Sequence, residues 1–375
     1  SGSKYTVKDI TVISKANVIA KSETVDYGKK LTAADLVTNQ NVFPAGTTYQ
    51  FVDGSEPTWG TAGSYDHVKI TATYKDASGA SVNTPVANCA VAINDSRSIK
   101  VLAGSDVPSV DSVLNLPNNW EEHTAFWTTP INTTATNEGL ITIHYPSSNL
   151  DQKIKVYVTV IPKTSAVDGQ NFFTNGNKYD GTEGSIANGA NQGAILTQAN
   201  GQAIDYTTYS GSNTPGTQTS YDTKTTSYTP TYGLSGLQTN SDGSLVSGVQ
   251  TATVRVSVPK GTIGAKVDAD DNYYYELNAK VNIAQPVTFE FVDEYNNDQV
   301  VGQTYSQEFV PGIDTNLNFS MAMPDGYELG NGASIPSQYT LPAFSQTTPV
   351  VKVPIHQKMH FYITFHDEDS NTNLG

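Results

Sequence analysis

Apolar residues in this chain alternate with polar ones in short bursts set apart by Gly, Asn, Ser, Asp and Pro. Val68, Ile70, Ala72 and Tyr74 share one side of a period of two. So do Cys89, Val91 and Ile93; Ile141, Ile143 and Tyr145; Ile154, Val156, Val158 and Val160. Val254, Val256 and Val258 repeat the pattern, as do Ala279, Val281 and Ile283. A period of two puts every second side chain on one face, so each run predicts a half-buried strand. Helical spacing is nearly absent. "LTAADLV", Leu31 to Val37, predicts one short helix with Thr32 as its N-cap. The expected fold class is all-β, as tandem small β domains in an elongated array.

Two stretches repeat each other. "GKKLTAADLVTN" starts at Gly28 and "GSDVPSVDSVLN" at Gly104. Gly28/Gly104, Leu31/Val107, Asp35/Asp111, Val37/Val113 and Asn39/Asn115 coincide. "FPAG" at Phe43 and "LPNN" at Leu116 follow, then Trp59 in one copy and Trp120 and Trp127 in the other. With "FPAGTTYQF" and "TWGTAGSYDHVKITATYKDASG", the first copy resembles Rib-like domains of Gram-positive surface proteins. The second copy lacks a counterpart of "TWGTAGSY". The resemblance implies two immunoglobulin-like spacer domains, 4–95 and 96–163.

Residues 164–285 are rich in Gly, Asn, Thr, Ser and Tyr. A disordered linker is one reading. The recurrent aromatics and the strands at 254–258 and 279–283 favour a third β domain with long polar loops. Residues 286–359 open with "VTFEFVDEYNNDQVVGQ", continue through "MPDGYELGNG" and close on "VVKVPIHQK". As a set these resemble the mucin-binding repeats of lactic-acid bacterial surface proteins, which implies a β-grasp-like fold. "FYITFHDEDSNTNLG", 361–375, echoes the opening strand and reads as the start of a further repeat within 360–375. The chain is thus expected to be a piece of something longer, with "SGS" at its start a cloning remnant.

Charge narrows the partners. Lys plus Arg number 21 against 36 Asp plus Glu, a formal charge of −15 over 375 residues. Such a chain repels nucleic acid and anionic lipid, and no apolar run is long enough to insert in a membrane. Cys89 is the single cysteine, so no internal disulfide forms; its place in an alternating run predicts a buried thiol.

Candidate chemistry is sparse. No nucleophile elbow, zinc-protease helix, phosphate loop or CxxC is present, so an enzyme is not expected. His360 and His366 flank a strand beside Asp367 and read as surface histidines. Asp268, Asp270, Asp271 and Asn272 in "DADDN" offer hard oxygen ligands suited to calcium, or else a polar turn. No other cofactor is called for. A lysine–asparagine isopeptide bond cannot be placed by sequence. Sugar binding needs aromatic faces beside amides and carboxylates on loops of a rigid scaffold. Asp205, Tyr206, Tyr209, Tyr221, Asp222, Tyr228 and Tyr232 supply that mixture, and each tyrosine could equally serve the domain's own packing. The mucin-binding resemblance adds Tyr295, Asn296, Asn297 and Tyr305.

The function expected is that of an extracellular, cell-wall-anchored adhesin. Its partners would be host mucin, glycans or an epithelial surface protein, met as a monomer. The alternative is a non-binding stalk.

Overall fold

The alternating runs form strands, and their apolar faces leave solvent. The computed structural model describes residues 16–173, 179–181, 195–197, 202–210, 222–313, 321–336, 348–366 and 368–370. The strands of the first copy are β1 (Glu23–Asp26), β2 (Thr48–Phe51), β3 (Gly63–Lys75), β4 (Ser81–Asn83) and β5 (Ala87–Asn94). Those of the second are β6 (Ser96–Leu102), β7 (Thr124–Thr129), β8 (Asn137–Tyr145) and β9 (Leu150–Ile161), with a short helix α1 (Val110–Leu114) after β6. Then come β10 (Gln170–Phe173), β11 (Ile204–Ser210), β12 (Asp222–Tyr228), β13 (Tyr232–Ser235) and β14 (Gly248–Ser257). β15 (Thr262–Ile263), β16 (Lys266–Val267) and the long β17 (Tyr273–Asp293) follow. β18 (Gln299–Val300), β19 (Tyr305–Phe309), β20 (Tyr327–Leu329) and β21 (Val350–Gln357) complete the set. Every residue named in the alternating runs is buried except Tyr74, which is half-buried. Among the described residues no helix is long and apolar enough to cross a membrane.

The helix expected at "LTAADLV" is instead a single 3-10 turn, Ala34–Leu36. The Thr32 amide and hydroxyl both donate to Asp35 Oδ2, at 2.8 and 2.7 Å, closing the turn on itself. Val37 is already extended and bridges to Ala20, which stops further winding. In the second copy α1 is capped by Ser109, whose hydroxyl accepts from the Ser112 amide at 3.3 Å, and ends at Asn115 in the left-handed region.

The chain divides into two compact units. Unit 1 comprises Ser1–Lys163, Ala203–Tyr228 and Val258–Tyr273; unit 2 comprises Thr164–Gln202, Thr229–Ser257 and Tyr274–Gly375. In unit 1 the repeated sequences take the same topology twice. The first sheet runs β1-β5-β3-β2 and the second β15-β6-β9-β8-β7. In each copy the first strand lies parallel to the last: Glu23–Asp26 beside Val91–Asn94, and Ser96–Leu102 beside Lys155–Ile161. Between β5 and β6 stands one residue, Asp95, whose carbonyl accepts from the Lys155 amide at 3.0 Å.

The two copies share one core, running from Val18 to Val160. Tyr27 is fully buried where they meet. Its hydroxyl donates to the Gly60 carbonyl at 2.7 Å and makes a very short bond to the Tyr145 hydroxyl. Trp120 Nε1 donates to the same Tyr145 oxygen at 3.0 Å, and its ring meets that of Tyr27 edge-on at 5.9 Å. Burial, together with the Tyr145 bond, raises the Tyr27 pKa.

The stretch expected as a third domain, 164–285, is divided between the units. Segment 203–228, carrying the β11–β12 hairpin, groups with unit 1. Tyr209 meets Tyr157 of β9 edge-on at 5.0 Å, and the Thr159 and Thr208 hydroxyls bond at 2.8 Å. Segment 258–273 also belongs to unit 1, where β15 extends the second sheet as a parallel neighbour of β6.

In unit 2, β17 pairs with β14, β10, β18, β19 and β21 along its length, so the expected boundary at 285/286 falls inside a continuous strand. β10 and β21 both lie parallel to it. Beyond Gln285 it carries two small cores, one around Phe289 and Phe309 and one around Phe291, Val353 and Ile355.

Candidate functional site

The β11–β12 hairpin holds most of the residues expected to bind a sugar. Tyr206 and Tyr228, both half-buried, meet edge-on at 6.0 Å. Asp205 and Asp222 are exposed at opposite ends of the hairpin, opposite Ser227 and Ser210 in its register. Three of the tyrosines also carry structural contacts. Tyr228 donates its hydroxyl to the Pro162 carbonyl at 3.1 Å, and Tyr209 lies on Tyr157, with burial pushing its phenol pKa up. Tyr206 is held by Tyr228. Tyr232 lies in unit 2, on β13 opposite Val256, so it is not part of the hairpin. Tyr221 lies outside the described residues.

The expected oxygen ligands at 268–272 close their own turn. Asp268 Oδ1 accepts from the Asp270 and Asn272 amides at 3.0 and 2.9 Å, and Asn272 Nδ2 donates to Asp268 Oδ2 at 3.1 Å. Asp271 adopts a left-handed φ of 63° and pairs closely with Lys260. Among the described residues no group of three His, Cys, Asp or Glu side chains is placed to hold a metal. His360 and His366 are exposed, while Asp367 lies outside the described residues. Cys89 is buried, and burial raises the pKa of its thiol, as suits a packing residue.

In the segment that resembles a mucin-binding repeat, Tyr295 is 73% exposed. Asn296 is engaged by Gln299 at 2.7 Å, and Asn297 serves as a left-handed turn residue with φ 51°. Tyr305 packs on Phe289 at 6.2 Å. Pattern reading missed what lies beside them. His356 on β21 bonds Glu294 at 2.7 Å through Nδ1 and Glu328 at 3.2 Å through Nε2, tying the end of β17 to β20. Glu294 first, and Glu328 with it, raise the His356 pKa against the opposing effect of burial. A group with a raised folded pKa contributes fully below its unfolded value, about 6.5, and loses that contribution as pH rises through the folded value. Unit 2 should therefore weaken on going from pH 6 to pH 8.5. His356→Gln should flatten that slope, as read from amide exchange along β21; an unchanged slope would remove the bridge from the account.

Unit 1 also contains two adjoining clefts that no motif announced. One, of about 650 Å³, is lined by Lys29, Lys30, Arg97, Asp26, Asn115 and Asn119, among others. Its neighbour, of about 520 Å³, is lined by Asp111, Glu121, Glu122 and His123. Leu114 and Pro117 line both. The first cleft gathers residues 26–30 of the first copy with Arg97 and residues between 113 and 119 of the second, whereas its neighbour is lined by residues between 111 and 123 alone. The available signal was weak: Lys29-Lys30 is a rare basic pair in an acidic chain.

Comparison with known proteins bears on the first copy. Residues 14–87 match the family described as Rib domain. The match is confined to this segment; Rib domains are non-enzymatic and characteristic of extracellular bacterial surface proteins. A Rib structure from Streptococcus pyogenes is 25% identical over 21% of this chain and 92% of its own length, with a TM-score of 0.18. Drosophila OTK extracellular domains 3–5 are 8% identical, covering 71% of this chain and 95% of theirs, with a TM-score of 0.16. An endo-fucoidan hydrolase of glycoside hydrolase family 107 is 11% identical, covering 65% of this chain and 38% of its own, with a TM-score of 0.15. No curated protein matches the chain in sequence.

Proposed function

We propose that this chain is a force-bearing segment of a Gram-positive surface protein, anchored at the cell wall and holding adhesive surfaces away from the cell. One observation carries the reading. In each strand set the entering strand is the parallel neighbour of a leaving one: β1 with β5, β6 with β9, β10 with β17, and β17 with β21. Tension applied through the ends of such a pair slides the strands past each other. All their hydrogen bonds then resist together. An antiparallel pair pulled from its open end yields one bond at a time. Single-molecule pulling checks this. Handles at Ser96 and Ile161 load β6 against β9 in shear, whereas handles at Asn137 and Ile161 unzip β8 from β9. The first geometry should need clearly higher force; equal forces would remove the clamp.

The second reading is adhesion to host mucus or glycans. It is favoured by the Tyr206–Tyr228 pair beside the exposed Asp205, on a hairpin that is braced against β9. Retention of the full chain on immobilised mucin, and its loss in Tyr206→Ala, is the measurement for it. A stalk without adhesive role predicts no retention.

A further inference from the structure

We infer that the cleft between the two copies in unit 1 binds the terminal anionic residue of a saccharide or polyol, a group carrying a carboxylate, sulfate or phosphate. No residue of the hairpin takes part, so the inference goes beyond both readings above.

The charge of the cleft runs against the charge of the chain. The protein carries −15 overall, yet Lys29, Lys30 and Arg97 line this cleft against one carboxylate, Asp26. Arg97 forms its inner part, with its side chain only 14% exposed. Nη2 donates to the Leu114 carbonyl at 2.9 Å and, more closely still, to that of Tyr27. These neutral acceptors hold the guanidinium without balancing its charge. Nη1 stands 3.9 Å from Asp26 Oδ2, outside hydrogen-bond reach, and Asp26 is itself 70% exposed and accepts from Asn94 Nδ2 at 3.0 Å. A cation taken out of water without a close counter-ion is unfavourable, and an entering anion relieves this. Burial correspondingly lowers the Arg97 pKa.

The remaining lining fits the same ligand. Lys29 makes no ion pair among the described residues, and Lys30 forms only a loose, exposed pair with Glu56 at 3.9 Å, which an entering anion can displace. Asn115 and Asn119 are exposed amides that can donate to and accept from hydroxyl groups. Gly28 is required at the wall: its φ is 94°, and a Cβ there would stand 2.6 Å from Leu116 and 3.4 Å from Arg97 Nη2. The volume is that of a small-ligand site. The neighbouring cleft limits length. Asp111, Glu121 and Glu122 lie just past Leu114 and Pro117, so a polyanion continuing in that direction meets like charge. One terminal anionic group is accommodated, whereas a long polyanion is not.

The test uses the full chain and four probes at low salt: 3′-sialyllactose, 3′-sulfolactose, glycerol 3-phosphate and lactose, followed by amide chemical shifts. At least one anionic probe should bind with Kd on the order of 1 mM, and lactose at least about tenfold more weakly. The double variant Lys29→Ala/Lys30→Ala removes only exposed side chains, so the fold stands, and it should weaken binding about tenfold. Raising salt should do likewise. Binding of the sialyl or sulfo sugar with no binding of the phosphate supports the site and points to a carbohydrate source; binding of glycerol phosphate alone supports it and points to a wall polyol. Equal binding of lactose, an unweakened double variant, or no anion binding overturns the inference.

Discussion

Val158→Pro is expected to destroy cooperative folding of unit 1. Val158 is fully buried in β9, opposite Ile99 of parallel β6 on one side and Asn137 of antiparallel β8 on the other. Proline removes a ladder donor in a central strand, where it is essentially not tolerated, and the orphaned acceptor alone costs about 1–3 kcal/mol. Stability of a domain is on the order of 5–15 kcal/mol. The damage also falls on the strand that joins both neighbours of the second sheet. Thermal melts followed by far-UV and near-UV circular dichroism should lose the main transition. Val158→Ala keeps the donor and should cost only on the order of 1–3 kcal/mol. If the proline variant melts as the parent does, β9 is not the central strand described.

Tyr27→Ala should be nearly as costly, and it should separate the copies. The ring is fully buried against Trp120, and the hydroxyl joins Gly60 of the first copy to Tyr145 of the second. Removing a buried aromatic ring costs about 3–5 kcal/mol. Tyr27→Phe isolates the polar part: it leaves the buried Gly60 carbonyl short of a donor and should cost about 1–3 kcal/mol. The parent should show one calorimetric transition for unit 1, and Tyr27→Ala two or a broadened one. A single sharp transition in the alanine variant would mean that the shared core alone couples the copies.

Which parts of this were written in the sequence follows from what periodicity encodes. Alternation names the inward face of a strand, and Ile141, Ile143, Val156 and Val158 are inward as expected. It does not name the partner. Nothing in "TTYSGSN" or "TATVRVSVP" tells that the segment around 204–228 belongs with β9, or that Thr262 and Ile263 extend the sheet at Lys100 and Val101. The repeat at Gly28 and Gly104 was legible as repetition, and the two sheets share one strand order. The parallel closing pairs were not, because register between strands far apart in sequence leaves no local trace. Gly139 makes the same point. It reads as a weak spot in a strand, yet a Cβ there would lie 2.4 Å from Ile131 and 2.9 Å from Trp127. The tyrosines marked for sugar binding show the opposite ambiguity. Residue type signals both a sticky surface and an ordinary packing contact, and Tyr209 on Tyr157 is a packing contact. The cleft at Lys29, Lys30 and Arg97 left only the Lys29-Lys30 pair as a sign, since its lining comes from both copies.

The shared core carries a consequence for how the chain comes to be folded. Residues leave the ribosome, or cross a membrane, from the amino end. Tyr27 therefore emerges 118 residues ahead of the Tyr145 hydroxyl it bonds, and about as far ahead of the strands that finish the second sheet. Until then the inner side of the first copy, with Tyr27 and its neighbours, has no cover from the second. Closing contacts at such separation is slow, and exposed apolar surface in the interval invites wrong pairings with the same surface of another nascent chain. Delivery rate and the spacing of nascent chains would then decide how much of this protein reaches its native state.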